Sequence, residues 1–318
     1  MIWDIVFVVI GIGLTILGAN WLVDGSASFA RRFGVSDLVI GLTIVAIGTS
    51  TPELVVSVLS AINGIDDIAI GNILGSNIAN ILLILGVTAL IYPLQIQTSS
   101  KWKEIPFSLL AIVAIAVLSN DILFDSVNTQ SNFLSRGDGI VLLLFLAIFF
   151  VYTFGISKNK NQNDTVTKPM AMWKSISFVI VGISALFVGG KLLVDGAVGT
   201  AKLMGISERV IGLTIVAVGT SVPELVTSIV AAFKRNADIA VGNILGSNIV
   251  NIFLILGISA TIHPLEFQPE SNIDIMVGIF STLLLFVSTL AFGVNLVKRR
   301  EGLFFVLFYI AYVVFLLT

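Results

Sequence analysis

The sequence predicts an all-α membrane protein in which ten transmembrane helices form two inverted five-helix repeats. This prediction rests on the composition, on the recurrence of long apolar runs and on an internal duplication. Hydrophobic residues occupy 57% of the 318 positions and charged residues only 11%, whereas soluble domains average about 25% charged residues. The chain has no cysteine and a single histidine, His263, which excludes disulfides and thiolate metal sites and argues against a histidine-based metal site.

Apolar runs of about 18 to 25 residues have the length that crosses the hydrocarbon core of a bilayer. Ten runs are predicted as spans: 3–23, 37–61, 68–91, 104–120, 137–156, 173–193, 208–232, 239–262, 272–294 and 302–318. Pro93 and Pro264 close the third and eighth runs, and the polar stretch after 156 is typical of a linker. We therefore expect a first five-helix repeat at 1–156, a cytoplasmic linker at 157–172 and a second, inverted repeat at 173–318.

The distribution of basic residues orients the predicted bundle. If the N-terminus lies outside, the cytoplasmic loops hold 13 of the 17 Lys and Arg residues, and the outer side keeps only Arg136, Lys191, Lys202 and Arg209. The positive-inside rule then favours both termini outside. We expect a multi-pass protein of the plasma, or inner, membrane.

An internal duplication relates the two halves of the chain. At an offset of 171 residues, about 46 of the 77 positions between Trp21 and Gln97 are identical in the second half, without a gap. The identity concentrates in two polar and glycine-containing blocks, GLTIVAIGTSTPELV from Gly41 and GNILGSNIANI from Gly71. An odd number of spans in each half inverts the second copy, and inverted repeats with a site at their interface are a transporter architecture.

Two glutamates lie in the interior of predicted spans, Glu53 in the second and Glu224 in the seventh. An unpaired carboxylate at that depth costs on the order of 3 kcal/mol or more. No Lys or Arg occurs inside a span at a depth that could neutralise them, so the compensating charge is a mobile cation or the carboxyls are protonated.

A proline precedes each glutamate, Pro52 in the first copy and Pro223 in the second, which predicts a kinked or broken helix at both places. Such a break frees backbone carbonyls inside the membrane, and oxygen ligands suit hard cations such as Ca²⁺ and Na⁺. The carbonyls expected to be freed lie near Ala46, Thr49, Ala217 and Thr220, and the hydroxyls of Thr49, Ser50, Thr220 and Ser221 are further candidates.

Polar residues recur at helical spacing in the third and eighth spans and should face the same cavity. Ser76 and Asn80, with Ser247 and Asn251, are interpreted as part of the site. For Asn72, Asn77, Asn243 and Asn248, a site and hydrogen bonding between helices remain open alternatives. Asp67 and Asp238 precede apolar runs and are predicted to cap helices.

These blocks resemble the cation/calcium exchanger superfamily, in particular its prokaryotic sodium/calcium exchanger type. The motifs are GTSTPE at Gly48–Glu53, GTSVPE at Gly219–Glu224 and the paired GNILGSN blocks. The resemblance implies four clustered ion positions that open alternately to the two sides as the first and sixth helices slide across the other eight. It also implies a role for each matching residue.

By that resemblance, Glu53 and Glu224 would be carboxylates shared by Ca²⁺ and Na⁺, and Thr49 and Thr220 would supply carbonyls to Ca²⁺. The remaining ligand positions would be two sodium sites and a central site, formed respectively by Ser76 with Ala46, by Ser247 with Ala217, and by Asn80 with Asn251. Relatives often carry Asp where this chain has Asn251, which makes K⁺ co-transport a weaker expectation. Proton-coupled relatives carry an acidic residue where this chain has Gly75 and Gly246.

The expected function is therefore a secondary active antiporter that exchanges Ca²⁺ for Na⁺ by alternating access. The alternatives are a Ca²⁺/H⁺ exchanger and, less favoured, a cation channel. An intramembrane enzyme is not expected, because a hydrolytic use of the glutamates leaves the serine and asparagine stripes unexplained. No cofactor is expected, and the partners are the two ions and the lipid bilayer, with no nucleic acid and a monomeric chain.

Overall fold

The computed structural model describes residues 2–124, 131–156, 169–204, 217–291 and 295–317, and helices make up most of them. In chain order the helices are α1 Ile2–Phe33, α2 Asp37–Thr49, α3 Thr51–Ile62, α4 Asp66–Ile91, α5 Thr98–Trp102, α6 Glu104–Leu118, α7 Asp121–Phe124, α8 Arg136–Ile156, α9 Met172–Leu203, α10 Ala217–Gly219, α11 Val222–Phe233, α12 Ala237–Ile262, α13 Ser271–Ala291 and α14 Arg299–Leu317. Four short strands accompany them: β1 Leu94–Gln95, β2 Phe133–Leu134, β3 Leu265–Glu266 and β4 Leu296–Val297.

A helix lies in each of the ten predicted ranges, although 208–216, 292–294 and 318 fall outside the described residues. Six helices of the described chain are long and apolar enough to cross a membrane, namely α1, α4, α8, α9, α12 and α13. The bent pair of α2 and α3 adds a seventh span if the two helices count as one. The count of ten spans stays a prediction, and most of the predicted linker, 157–168, lies outside the described residues.

The centre of the bundle is formed by α4 and α12. In their 18-residue apolar segments, 78% and 94% of the residues are buried, whereas in those of α1, α8 and α9 only 28% are. Helices α4 and α12 carry the two GNILGSN blocks. The polar repeat motifs therefore lie in the interior of the bundle, and the helices around them have apolar side chains exposed on their outer faces.

Helices α1 and α9 correspond in the two repeats and are the longest, with 32 residues each. At 1.5 Å per residue each measures about 48 Å, more than the hydrocarbon core of about 30 Å. The helix continues past residue 23, the predicted end of the first span, to Phe33. The carboxylate of Asp24 is accommodated by an ion pair with Lys234 Nζ at 2.6 Å.

Glycines form the contact between α1 and α9. They recur every seventh residue, at Gly11, Gly18 and Gly25 in α1 and at 182, 189 and 196 in α9. A side chain at Gly11 would overlap the backbone of Gly189 and Leu193, and one at Gly25 would overlap Ser175. The partner number falls as the α1 number rises, so the helices run antiparallel, as corresponding helices of inverted repeats should.

The chain bends between α2 and α3, where Pro52 was expected to break the helix. Helices α2 and α3 meet at an angle of 50° around Ser50, which confirms the predicted kink. Pro52 occupies the first turn of α3, where its missing N–H removes no intrahelical bond. Each of α2, α4 and α12 also contains a π-helical turn, at Gly41–Val45, Asn80–Ile84 and Asn251–Leu256, a feature frequent at functional sites.

Short strands join the first repeat to the second at two places. β1 pairs antiparallel with β4, with Leu94 opposite Val297. β2 pairs with β3, with Phe133 opposite Glu266. Each pair contains one strand from each half of the sequence, so the ends of the helices that follow are held across the repeats.

The predicted capping roles of Asp67 and Asp238 are wrong. The residue that caps α12 is Asn236, whose side chain accepts from the backbone N–H of Ile239 at 3.1 Å. Asp238 lies two residues further on, and its carboxylate accepts from Gln97 Nε2 at 2.7 Å. Residue Asp66 begins α4, so Asp67 lies inside the helix.

The close contact of α1 with α9 predicts a position-specific effect of side-chain size. Gly18→Val places a Cβ about 2.8 Å from the carbonyl oxygen of Gly182, so the helices must separate, at a cost of about 1 to 3 kcal/mol or more. We expect a lower midpoint of thermal unfolding in detergent. Gly13→Val is the matched control, because a Cβ at Gly13 meets no atom within 4 Å; equal loss of stability in both variants would contradict this packing.

A candidate cation site between the repeats

The two glutamates lie in the first turns of α3 and α11, directly after the breaks. Glu53 is 0% exposed and Glu224 is 1% exposed. An acidic side chain in the first turn of a helix is favoured by the positive end of the helix dipole. The breaks therefore create, inside the bundle, two helix N-termini at which carboxylates are better tolerated than in the middle of a continuous helix.

One oxygen of each glutamate is held by a serine of the other repeat. Ser50 Oγ donates to Glu224 Oε1 at 2.9 Å, and Ser221 Oγ donates to Glu53 Oε1 at 3.2 Å. Both serines directly follow the threonine of the GTS motif. The crossed bonds bring the two breaks and the two carboxylates to one place, where the predicted site residues converge.

Several buried oxygens at this place have no hydrogen-bond partner among the described residues. Those of the predicted site are Glu53 Oε2, Glu224 Oε2, Asn80 Oδ1, Asn251 Oδ1 and Ser247 Oγ. An unsatisfied buried acceptor costs about 1 to 3 kcal/mol, and more when it is charged. A group of five oxygens that includes two carboxylates is a donor set for a hard cation such as Ca²⁺ or Na⁺.

The threonines of the site use their hydroxyls for structure. Thr49 Oγ1 donates to Asn243 Oδ1 at 2.9 Å, and Thr220 Oγ1 donates to Asn72 Oδ1 at 3.3 Å. Across the first break Leu54 N bonds to Ser50 O at 3.0 Å, but no described backbone donor reaches the carbonyl of Thr49. The expectation that Thr49 contributes its carbonyl fits this arrangement.

The hydrogen bonds of Asn72 and Asn243 favour a role in holding helices together over a role as ion ligands. Their amides donate to Ser57 Oγ and Ser228 Oγ, at 3.0 Å in both copies. They also donate to the backbone carbonyls of the glutamates, at 3.4 Å for Glu53 and 3.3 Å for Glu224. Because their Oδ1 atoms also accept from the threonines, both asparagines stabilise the backbone at the helix breaks. Ser57 and Ser228 were not singled out from the sequence, although each lies four residues after its glutamate, on the same helix face.

The carbonyl of Ala46 was expected to be free at the helix break, but it is hydrogen-bonded. It accepts from Ser50 N at 3.0 Å, and Thr49 Oγ1 lies 3.3 Å away. Proline at position 52 removes the donor for the carbonyl four residues earlier, at Gly48, and leaves Ala46 bonded. Ala217 begins α10 at the edge of the described residues, and its side chain falls outside them.

The two serines of the GNILGSN blocks are not equivalent. Ser76 shares a hydrogen bond of 3.2 Å with Ser221 Oγ, which connects it to Glu53. The Oγ of Ser247 has no hydrogen-bond partner among the described residues. Asn80 and Asn251 begin the π-helical turns of α4 and α12, and both are 1% exposed. The structure thus brings both predicted serines and both asparagines into the interior with the glutamates.

The donor set consists of oxygen atoms alone. Among the described residues, no group of three or more His, Cys, Asp or Glu side chains is placed to hold a metal ion. Two carboxylates with neutral oxygens suit a hard cation better than a transition metal, which prefers nitrogen or sulfur ligands. Buried carboxylates between broken helices of two repeats define the class of secondary cation transporters.

Comparison with known proteins agrees with this class. The chain belongs to the family described as sodium/calcium exchanger protein, whose model matches residues 3–155 and 174–318. It is 36% identical to the putative antiporter CaxA of Alkalimonas amylolytica over 96% of each chain, and 33% identical to the sodium/calcium exchanger MaX1 of Methanosarcina acetivorans over 98% of each.

A solved structure shares this fold. It is the sodium-calcium exchanger NCX_Mj soaked with 2.5 mM Na⁺ and 0.1 mM Ca²⁺, which superposes with a TM-score of 0.83 at 34% identity and covers 98% of this chain and 97% of that one. The protein is therefore an integral multi-pass membrane protein and a cation exchanger by family.

The crossed serine bonds give a prediction for ion affinity. Ser50→Ala removes the donor to Glu224 Oε1 and frees the carboxylate to rotate, a loss of about 0.5 to 1.5 kcal/mol. We expect the dissociation constant for Ca²⁺, measured by calorimetry on purified protein, to rise about twofold to twelvefold. Thr51→Ala is the control, since the adjacent Thr51 hydroxyl bonds to Ile47 O instead; equal affinity of Ser50→Ala and wild type would exclude this role of Ser50.

Proposed function

We propose that the protein is a secondary active antiporter that exchanges Ca²⁺ for Na⁺ across the membrane by alternating access. The observation that carries the proposal is the pair of fully buried carboxylates, each bonded to a serine of the opposite repeat and each with a free oxygen. The proposed ligands are Glu53, Glu224 and the carbonyls of Thr49 and Thr220. The further proposed ligands are Ala46, Ala217, Ser76, Ser247, Asn80 and Asn251.

The charge of the site supports exchange between these two ions. Two glutamates surrounded by neutral asparagine, serine and threonine groups carry −2 when both are ionised. One Ca²⁺ neutralises that charge, and three Na⁺ leave +1, so both ion sets are compatible with the same oxygens. Because Ca²⁺ and Na⁺ would bind the same carboxylates, the two ions compete, as antiport requires.

The glycine contact supports the proposed alternating access. Helices α1 and α9 touch through backbone at Gly11, Gly18 and Gly189 rather than through interlocking large side chains. Only 28% of the residues in the apolar segment of each helix are buried, so much of each helix faces outward. We infer that α1 and α9 move together across the central helices. We also propose that the protein lies in the inner membrane with both termini outside, and that a single chain carries out the exchange.

Two other functions are distinguished by the coupling ion. A Ca²⁺/H⁺ exchanger would use the same glutamates as proton carriers, but Gly75 and Gly246 stand where proton-coupled relatives have an acidic residue. A channel would pass Ca²⁺ without any counter-ion. The relatives whose names state an activity are exchangers or antiporters rather than enzymes.

Flux in proteoliposomes tests the coupling. We expect ⁴⁵Ca²⁺ uptake when vesicles loaded with Na⁺ are diluted into Na⁺-free buffer. Substituting K⁺ for the internal Na⁺, or imposing only a pH gradient, should reduce the initial rate to background. Uptake driven by the pH gradient alone would replace Na⁺ with H⁺ as the coupling ion, and uptake with no opposing gradient would indicate a channel.

Neutralising either glutamate should abolish exchange. Glu53→Gln and Glu224→Gln each remove one of two charges from a buried ion site, a loss of about 3 to 5 kcal/mol, or at least about 100-fold in the initial rate of Na⁺-driven flux. The matched control is Glu104→Gln, another fully buried glutamate, which accepts from Tyr152 in a separate contact of 2.6 Å. Flux close to that of wild type from Glu53→Gln or Glu224→Gln would refute the carboxylate assignment.

A further inference from the structure

Four asparagines, two from each repeat, form a closed hydrogen-bonded group at the centre of the bundle. Asn77 Nδ2 donates to the backbone carbonyl of Asn248 at 3.1 Å, and Asn248 Nδ2 donates to the backbone carbonyl of Asn77 at 3.3 Å. Asn80 Nδ2 donates to Asn248 Oδ1 at 2.9 Å, and Asn251 Nδ2 donates to Asn77 Oδ1 at 3.0 Å. All four side chains are at most 4% exposed.

Only one assignment of donors and acceptors is possible in this group. A backbone carbonyl only accepts hydrogen bonds, so the amide groups of Asn77 and Asn248 must point their Nδ2 atoms at those carbonyls. Their Oδ1 atoms then face the neighbouring amides. Asn80 and Asn251 must in turn supply Nδ2 to these oxygens, and this leaves the Oδ1 of each without a partner.

The orientation matters because an asparagine amide has one acceptor and one donor end of nearly equal size. Turned the other way, it would present N–H groups to the ions, and donors repel a cation. Asn80 and Asn251 begin the π-helical turns, and those turns pack against the helices of the opposite glutamates, α11 and α3. The free oxygens therefore lie in the layer that holds the carboxylates.

We propose that Asn77 and Asn248 are positioning residues, which fix the amides of Asn80 and Asn251 so that oxygen, and not N–H, faces the transported cation. The proposal rests on the proposed function, since it takes Asn80 and Asn251 as ion ligands. Asn77 and Asn248 use their own side-chain atoms in bonds to protein and act through their neighbours across the repeats. They set the affinity of the central position for a hard cation.

The test separates positioning from support of the fold by comparing affinity with maximal rate. Asn248→Leu keeps the volume but removes the acceptor for Asn80 Nδ2. We expect the KM for Ca²⁺ in Na⁺-driven proteoliposome flux to rise about tenfold, with the rate at saturating Ca²⁺ within about twofold of wild type. A merely structural residue would lower the yield of folded protein and the maximal rate at unchanged KM.

The matched control is Asn272→Leu. Asn272 and Asn120 form another cross-repeat amide pair, with both bonds at 2.9 Å, at the ends of α13 and α6 rather than beside the glutamates. Its loss should affect stability in a similar way and leave the KM for Ca²⁺ unchanged. A tenfold higher KM in Asn272→Leu as well would overturn the assignment of a special role to Asn248.

A double-mutant cycle shows whether Asn248 acts through Asn80. Calcium affinity is measured by calorimetry on wild type, Asn248→Leu, Asn80→Ala and the double variant. If Asn248 only orients Asn80, the double variant should bind Ca²⁺ no more weakly than Asn80→Ala alone, whereas independent roles would add. Additive losses, or an unchanged affinity of Asn248→Leu, would refute the proposal.

A smaller substitution answers the same question if Asn248→Leu does not reach the membrane. Asn248→Ala also removes the acceptor for Asn80 Nδ2, and the mirror variant Asn77→Ala removes the acceptor for Asn251 Nδ2. Unchanged KM in both alanine variants counts against the proposal. Failure of wild-type protein to exchange Ca²⁺ at all would instead refute the proposed function, which keeps the two outcomes distinguishable.

Discussion

The burial of two carboxylates in one low-dielectric core is the constraint on which the rest of the structure depends. Glu53 and Glu224 are removed from water, and their hydrogen-bond partners include serine hydroxyls of the opposite repeat. The proline breaks place both at helix N-termini, where the dipole favours negative charge. Serines take one oxygen of each, and the remaining oxygens stay free. Unsatisfied negative charge in such a core is compensated when a cation binds to it.

The same polar bonds hold the two repeats together. Ser50 and Ser221 bond to the opposite glutamate, and the four asparagines make four hydrogen bonds between the repeats. The strand pairs β1 with β4 and β2 with β3 connect the repeats at the helix ends. A site built from both halves requires this, because each repeat contributes only one of its two glutamates. The pseudo-symmetry is incomplete at Ser76, whose serine partner has no counterpart at Ser247. It is also incomplete at Lys234, which pairs with Asp24 while the equivalent position in the first repeat is Asn63.

Much of the site was predictable because its residues occur twice. Duplication singled out Glu53 with Glu224 and Asn80 with Asn251, and a charge in a long apolar run required a compensating partner whatever the detailed packing. The kink at Pro52 was predictable because proline lacks the N–H that a continuous helix needs. The two predicted aspartate caps were wrong. Periodicity does not show that Asp24 meets Lys234, or that Asn236 rather than Asp238 reaches the free N–H groups of α12.

The sequence by itself determined the membrane setting, the repeated motifs, the broken helix at Pro52 and the chemical character of the site, since these follow from composition, proline geometry and the cost of charge in lipid. Only the tertiary structure decided which atoms remain free for an ion. Ser50, Thr49 and the four asparagines each have several possible partners along the chain. Which bond each one makes depends on helices more than 140 residues apart being packed side by side. Hydrogen bonding in a closed core is cooperative, so the direction of one amide sets the direction of the next, and no local pattern contains that information.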